Sequence, residues 1–338
     1  MSASLGLIES VLPDLTGSPL ATKFRRSPGA GRNGKNLSTS QGMLLDTRIP
    51  PSYILRKIRY NLISVSVVSL TVHVVSTRYQ NFLPVMPPTI PGFIGTAISI
   101  LLSFKIGQSY DRWWEARKVW GAIVNDSRTL VIQLKSFVSG GNEATIRKIG
   151  LRQIAWCFSL GQSLRKQPST ENLRRLLSEE DLEEVSRHTN KPLAMIDLHA
   201  ADLRELRTRD QLELFAQVQM DSTLVRLVEA QGQAERIKST VFPVTYRIFL
   251  HGIIYLFVVT LSLSLKDVPF RFELPLLLAI SMPFFLLEKS ATHMQDPFEN
   301  RPTDTAMTAI ATTIEINLKQ LLQEPDIPEP HSPDAFYL

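Results

Sequence analysis

Four long runs without a charged residue most constrain how this chain can fold. They cover residues 61–77, 80–104, 248–265 and 274–287, and charged side chains flank each of them closely. A helix over the first run rises about 26 Å at about 1.5 Å per residue. That rise nearly spans a bilayer hydrocarbon core of about 30 Å. The pattern therefore indicates an integral membrane protein.

The ends of these runs follow from their prolines and flanking charges. The second run opens with several prolines, so its helix should begin near Pro91, where proline is favoured at a helix start. The fourth run is short and contains Pro275 and Pro283. It can span only if it extends on its C-terminal side or if an oligomer shields its ends. The first run is rich in β-branched residues that also suit strands, but its basic flanks favour a membrane helix. The membrane helices are predicted at about 60–79, 91–112, 243–265 and 273–291.

Well over a hundred residues separate the second run from the third, and they read as polar, amphipathic helices. Residues 182–206 and 211–238 each carry apolar side chains at helical spacing. Cytosolic helices are predicted at about 113–240 and 303–322. The sequence thus indicates an all-α integral membrane protein with four membrane-spanning helices and a large helical cytosolic region.

Basic residues set the predicted orientation. Arg56, Lys57 and Arg59 precede the first run, and several more follow the second, whereas the proline-rich loop between these runs offers only Arg78. Because basic residues accumulate on the cytosolic side, both termini should be cytosolic. A multi-pass protein of the cell inner or plasma membrane is expected, with an organellar membrane as the alternative.

The two ends of the chain differ in composition from the rest. Residues 1–45 are rich in Ser, Gly, Pro and basic side chains, which predicts a disordered arm; a targeting peptide is the alternative. Residues 324–338 are predicted to be an extended, proline-rich tail.

Several classes of chemistry find no support in the sequence. The net charge of +5 fits basic cytosolic loops, and no zinc spacing or nucleic-acid signature accompanies it. The lone cysteine, Cys157, excludes an internal disulfide framework and is interpreted as a small buried side chain. No nucleophile, phosphate loop or carboxylate pair indicates an active site. We therefore expect neither an enzyme nor a partner nucleic acid, and no cofactor.

The most informative segment is residues 98–130, where an apolar membrane helix continues into a polar, aromatic and basic one. Thr96, Ile100 and Phe104 fall four residues apart on one face, and Gln108 and Arg112 continue the line. An apolar stripe that leads to a polar one is typical of a helix lining a pore. Spacing alone favours ordinary packing between helices, and both interpretations stay open at this point.

Three motifs resemble the bestrophin family. Phe104 is followed eight positions later by the triplet Arg112, Trp113 and Trp114, as in the family signature. The second motif is Asp296-Pro297-Phe298, which follows a hydrophobic run. The third is Gly232 with Pro243 and Tyr246, similar to the family's joint between a cytosolic helix and the third membrane segment. Together they span a channel domain of about residues 50–325, which resembles bacterial or plastid members more than calcium-activated vertebrate ones.

The resemblance implies a homopentamer around one central pore. Carried over by position, Thr96, Ile100 and Phe104 would form a narrow neck on the second membrane helix. Counting back from Gly232 and Pro243 places a deeper cytosolic constriction at Phe215. The implied activity is passive conduction of small anions, chloride foremost, across a lipid bilayer. The alternatives are a cation-conducting homologue and a non-conducting membrane scaffold.

The sequence also departs from the family pattern. Vertebrate members hold calcium in an acidic cluster after Asn-Pro-Phe, whereas residues 296–304 here scatter few carboxylates around Arg301. Because calcium requires six to eight oxygen ligands, we predict that the calcium clasp is absent. Thr96 makes the first neck position more polar than is usual there.

Polar and aromatic residues near the membrane runs are given structural interpretations. His73 and His251 are predicted to be neutral and to face neighbouring helices, although ionisable residues inside a membrane are by default functional candidates. Glu288 and Lys289 are interpreted as interfacial. A further prediction is an interfacial aromatic belt of Trp113, Trp114 and Trp120.

Overall fold

The computed structural model describes residues 43–44, 51–79, 86–240, 243–301, 304–330 and 336–337. Its helices, in chain order, are α1 (Pro51–Arg78), α2 (Thr89–Phe137), α3 (Glu143–Leu164), α4 (Thr170–Leu176), α5 (Glu179–Arg187), α6 (Lys191–Thr208), α7 (Leu214–Ser239), α8 (Val244–Ser264), α9 (Phe270–Met294) and α10 (Met307–Leu321). The strands β1 (Met43–Leu44) and β2 (Phe336–Tyr337) form one short antiparallel pair. Apart from that pair, every regular element of the described chain is a helix, which confirms the predicted all-α class.

The predicted disordered arm falls largely outside the described residues, and the predicted extended tail does so in part. The arm at residues 1–45 is described only at β1, and residues 331–335 and 338 of the tail are likewise outside. Residues 324–330, the described start of the tail, carry neither helix nor strand.

Four helices of the described chain are long and apolar enough to cross a membrane. They are Arg56–Arg78 within α1, α2, α8 and α9. The first half of α2 packs against α8 and α9, and α1 packs against the same two helices. Their shared core is apolar and consists of Val65, Ile98, Leu102, Leu250, Ile254, Phe257, Val258, Leu277 and Phe285. Four membrane-type helices are therefore confirmed, as the uncharged runs predicted.

The fourth membrane-type helix is longer than its uncharged run. α9 has 25 residues and continues through both Pro275 and Pro283. It extends past Glu288, the charged residue that follows the uncharged run at 274–287. The extension makes α9 about 38 Å long at about 1.5 Å per residue, enough to cross a hydrocarbon core.

A single helix connects the membrane-type bundle to the polar region. α2 has 49 residues, so it is about 74 Å long. The boundary predicted at residue 112 lies inside it, because nothing near that position stops a helix. Side-chain positions in the bundle are therefore rigidly coupled to positions in the polar region through one continuous backbone.

The polar region has its own apolar core around α3. α3 packs against α2, α4, α6, α7 and α10. Trp120 and Trp156 are both fully buried there. The interpretation of Trp120 as part of an interfacial belt is therefore wrong, because its ring packs in a protein core. Cys157 is buried as expected, and burial raises the pKa of its thiol to about 12.

The amphipathic segment predicted at residues 182–206 is divided in the structure. α5 ends at Arg187 and α6 begins at Lys191. Asn190 caps α6, since its side-chain oxygen accepts a hydrogen bond from the backbone N–H of Leu193 at 3.1 Å. Pro192 lies in the first turn, where proline is tolerated. Asn190 and Pro192 therefore start a new helix, although the apolar spacing continues from α5 into α6.

Candidate pore-lining site

The first half of α2 has one side packed against its own chain and another side open. Ile98, Leu102 and Lys105 are buried toward the neighbouring helices. Ile100 and Phe104 lie on the open side, with exposed fractions of 54% and 67%. The candidate neck residues therefore do not pack inside their own chain, and an outside environment must cover them.

Thr96 lies on the same open side, and its hydroxyl group is hydrogen-bonded within the helix. Its hydroxyl donates a hydrogen bond to the backbone oxygen of Gly92 at 3.0 Å. Since the hydroxyl proton is used within the helix, a molecule that approaches this position meets no free donor from Thr96. Position 96 therefore stays compatible with an apolar stripe.

Arg112 does not continue the line of the candidate neck. Sixteen residues separate it from Thr96, and at 3.6 residues per turn that separation rotates it by about 160°. Its guanidinium donates hydrogen bonds to the backbone oxygens of Ile237 and Thr240 at the C-terminal end of α7. A cation at this position satisfies carbonyls that lack helical partners and complements the helix dipole. Arg112 therefore joins α2 to α7, and the predicted polar continuation of the stripe through it is wrong.

The two tryptophans that follow Arg112 lie side by side. The ring centroids of Trp113 and Trp114 are 6.3 Å apart, and that of Tyr110 lies 5.9 Å from Trp113. Trp114 is exposed, whereas Trp113 is half-buried.

A buried ion pair lies directly behind the candidate neck. Lys105 Nζ lies 2.8 Å from Glu288 Oε1 and 3.0 Å from the hydroxyl of Thr292. His251 Nε2 lies 3.6 Å from the other carboxylate oxygen. Lys105 and Glu288 are both buried, so the interpretation of Glu288 as interfacial is wrong. The expectation that His251 faces a neighbouring helix is confirmed, because Glu288 belongs to α9.

A second buried carboxylate lies elsewhere in the bundle. Glu273 accepts a hydrogen bond from Ser262 at 2.6 Å, and its other oxygen lies 3.0 Å from His73 Nδ1. His73 thus faces α9, as the sequence predicted. Sequence reasoning missed both carboxylate sites. For the site at Glu288, the available signal was Lys105, a charge at the end of the long apolar stretch of α2, because such a charge needs a partner.

Phe215, the candidate cytosolic constriction, lies on another element. It occupies the second position of α7 and has an exposed fraction of 80%. At about 1.5 Å per residue it lies about 36 Å along α7 from the end that Arg112 binds. Arg112 attaches the C-terminal end of α7 to α2, and Phe215 lies at the opposite end of α7. Phe215 is therefore far from the neck residues.

The Asp296-Pro297-Phe298 motif forms the connection between α9 and α10. Phe298 is buried in the polar-region core. Asp296 accepts a hydrogen bond from Lys238 at 2.7 Å and another from the backbone N–H of Phe298 at 3.2 Å. The carboxylate of Glu299 contacts Arg301. Cations thus already neutralise two carboxylates of this stretch.

The absence of a calcium clasp stays a prediction. No group of three or more histidine, cysteine, aspartate or glutamate side chains within the described ranges is arranged to hold a metal ion. Pro302 and Thr303, which belong to the stretch in question, lie outside those ranges.

Comparison with known proteins gives a consistent set of relatives. The family model described as Bacterial/Fungal Bestrophin protein matches residues 38–320. The voltage-dependent anion channel-forming protein YneE of Escherichia coli is 33% identical over 246 residues, which cover 72% of this chain and 80% of the relative. A protein of Ralstonia nicotianae with the same descriptive name is 27% identical over 282 residues, covering 81% of this chain and 89% of the relative.

Solved structures agree with the sequence comparison. The crystal structure of a bacterial bestrophin homologue from Klebsiella pneumoniae superimposes with a TM-score of 0.74 at 28% sequence identity. The match covers 80% of this chain and 100% of that structure.

Proposed function

Because this chain belongs to the bacterial and fungal bestrophin family, we propose that it is the pore-forming subunit of an anion channel, with chloride as its foremost ion. One observation carries the proposal: Ile100 and Phe104 are open to the surroundings on a helix whose opposite side is fully packed. Relatives named as voltage-dependent anion channel-forming proteins support the choice of anions.

The proposed assembly is a pentamer with α2 of each subunit around a central axis. Identical head-to-tail contacts close into a ring when the rotation per subunit divides a full turn. Five copies of Thr96, Ile100 and Phe104 would then form three stacked rings. The same arrangement makes Phe215 a separate constriction on the cytosolic side.

The proposed neck controls ion flow by its wetting and selects anions by its electrostatics. Apolar rings resist wetting, so a small change in their width alters the free-energy barrier for a hydrated ion. The edge of the Phe104 ring carries partial positive charge, which favours an anion that loses water in the neck. Basic residues at the cytosolic end raise the local anion concentration. Both termini face the cytosol in this arrangement, in the inner or plasma membrane.

Current and mass measurements on the purified full chain test the proposal. In planar bilayers under a potassium chloride gradient, we expect a reversal potential near the chloride equilibrium value. Light scattering in detergent should give the mass of five subunits. A reversal potential near the potassium value would instead show a cation channel. An intact oligomer without current would support a scaffold, and a monomer would contradict a pore built from one helix per subunit.

A further inference from the structure

A cavity of about 260 Å³ lies where α7 ends, α8 begins and the α9–α10 connection starts. Among the charged residues of its lining, cations outnumber carboxylates: four are cations (Arg112, Lys238, Arg247 and Arg301) and two are carboxylates (Asp296 and Glu299). We propose that this cavity binds a phosphate group, carried either by inorganic phosphate or by a lipid headgroup. The proposal goes beyond ion conduction and does not depend on it.

The charges of the lining do not balance. Lys238 pairs with Asp296 at 2.7 Å, and Arg301 contacts Glu299. Within the described chain, the hydrogen bonds of Arg112 go to neutral backbone oxygens, and Asp296, which also interacts with it electrostatically, already pairs with Lys238. Arg247, an exposed residue in the first turn of α8, adds a further cation. The four cations therefore exceed the two carboxylates by two charges, which attracts an anion.

Two residues of the lining also carry unused hydrogen-bond donors. Within the described chain, the buried Nε of Arg112 and the buried side-chain amide nitrogen of Gln295 have no hydrogen-bond partner, and both residues line the cavity. Buried donors without acceptors are rare in folded proteins. An oxyanion in the cavity would offer acceptor oxygens to both side chains once they turn toward it.

The start of α8 adds a third, independent attraction. Pro243 precedes the helix without a side-chain cap, and Pro243 and Val244 both line the cavity. The first N–H groups of a helix lack intrahelical acceptors, and the helix dipole places positive partial charge at the same end. Helix starts of this kind bind phosphate in many proteins. A guanidinium fork matches phosphate oxygens better than it matches a spherical halide.

The position in the fold suits a phosphate at a membrane boundary. α8 and α9 are both membrane-type helices, and the cavity lies at the ends of these helices that meet the polar region. With the membrane boundary at these helix ends, a phospholipid headgroup would lie at the level of the cavity, as would a soluble phosphate. A bound phosphate would connect α2, α8 and the α9–α10 connection through one ligand.

Thermal-shift and binding titrations on the full chain in detergent test the proposal. The probes are inorganic phosphate and dihexanoyl phosphatidic acid, each titrated at constant ionic strength against chloride, with dihexanoyl phosphatidylcholine as the lipid control. The test variants are Arg247→Gln and Gln295→Leu. The matched control is Arg271→Gln, which removes an exposed arginine from the opposite end of the bundle.

We expect phosphate or phosphatidic acid to raise the melting temperature of the wild type. Affinity should fall about tenfold or more in Arg247→Gln, because a charge-assisted hydrogen bond is lost. Gln295→Leu should weaken binding, and Arg271→Gln should behave as the wild type. Binding of inorganic phosphate identifies a soluble ligand, and binding of phosphatidic acid alone identifies a headgroup; both support the site. No binding of either probe, or equal losses in Arg247→Gln and Arg271→Gln, would overturn it.

Discussion

Lys105 Nζ lies 2.8 Å from Glu288 Oε1, and both side chains are buried between α2 and α9. Lys105 directly follows the candidate neck residue Phe104, so the two side chains leave α2 about 100° apart. One side of the helix thus carries the open aromatic ring, and the adjacent side is held to α9 by an ion pair. The pair fixes the rotation of α2 and thereby the direction in which Phe104 points.

The first prediction concerns this ion pair. Lys105→Met or Glu288→Leu alone leaves one buried charge without a partner, and each should cost about 3–5 kcal/mol of stability. The double variant removes both charges and should recover most of that loss. Thermal unfolding of the four proteins in detergent, analysed as a double-mutant cycle, measures the coupling. Losses that simply add in the double variant would contradict a coupled pair.

The second prediction concerns the pH dependence of stability through Asp304. Burial is the main cause that raises the pKa of this carboxyl to about 6 from its ordinary 3.8, and a hydrogen bond from the N–H of Arg301 opposes the rise. The folded protein therefore holds the proton more tightly than the unfolded chain. The raised pKa of Asp304 therefore stabilises the fold fully below the ordinary pKa of 3.8. This stabilisation is lost as the pH rises through about 6, by up to about 1.4 kcal/mol per pH unit.

Asp304→Asn keeps the shape and removes the titration. Its stability relative to the wild type should therefore increase between pH 4 and pH 7. His199 acts in the opposite direction, because burial and Arg152 hold its pKa well below the usual value and stability falls in acid. The difference between variant and wild type removes that common contribution. Asp210→Asn, at an exposed position, is the control. A difference that stays constant with pH would contradict the assignment to Asp304.

The four membrane-type helices could be predicted because length and apolar content are local properties of the sequence. Uncharged runs located α1, α2, α8 and α9. The ion pair between Lys105 and Glu288 joins residues 183 positions apart, and no periodicity along the chain records such a contact. Only the cost of an isolated charge in an apolar environment could have suggested that Lys105 needs a partner.

The placement of Arg112 shows where the sequence reasoning about the site fails. Steps of four residues drift by about 40° each relative to the helix, so a face followed for too many steps turns into the opposite face. The same rule explains why the short line from Ile100 to Phe104 stays on one side while Arg112 does not. The burial of Trp120 was missed for another reason, since tryptophan suits both an interface and a protein core.

The third prediction concerns Phe215. The exposed side chain makes few contacts in its own subunit, so Phe215→Ala should change stability by no more than about 0.5 kcal/mol. Conductance or ion preference should change while the oligomer persists. Leu227→Ala is the matched control on the same helix; it removes a buried side chain and should cost about 2–5 kcal/mol. Dissociation of Phe215→Ala into monomers would show that Phe215 packs between subunits.

The last prediction separates pore lining from packing in the neck. Ile100 and Phe104 are open in the single chain, so their replacement by alanine opens no cavity within the subunit core. Narrow apolar rings resist wetting, and wider rings lower that barrier. The double variant Ile100→Ala with Phe104→Ala should therefore conduct more current, with little change in melting temperature and an intact oligomer.

The buried neighbours on the same helix provide the matched control. Ile98→Ala and Leu102→Ala remove side chains from the packed core of the bundle, and each should cost about 2–5 kcal/mol without a gain in current. Bilayer conductance and thermal unfolding are measured on the same preparations. Because both pairs lie within the same two turns of α2, a general weakening of that helix would affect them alike. Unchanged current in the exposed pair, together with a loss of stability equal to that of the buried pair, would show that Ile100 and Phe104 pack against a neighbouring subunit and do not line a pore.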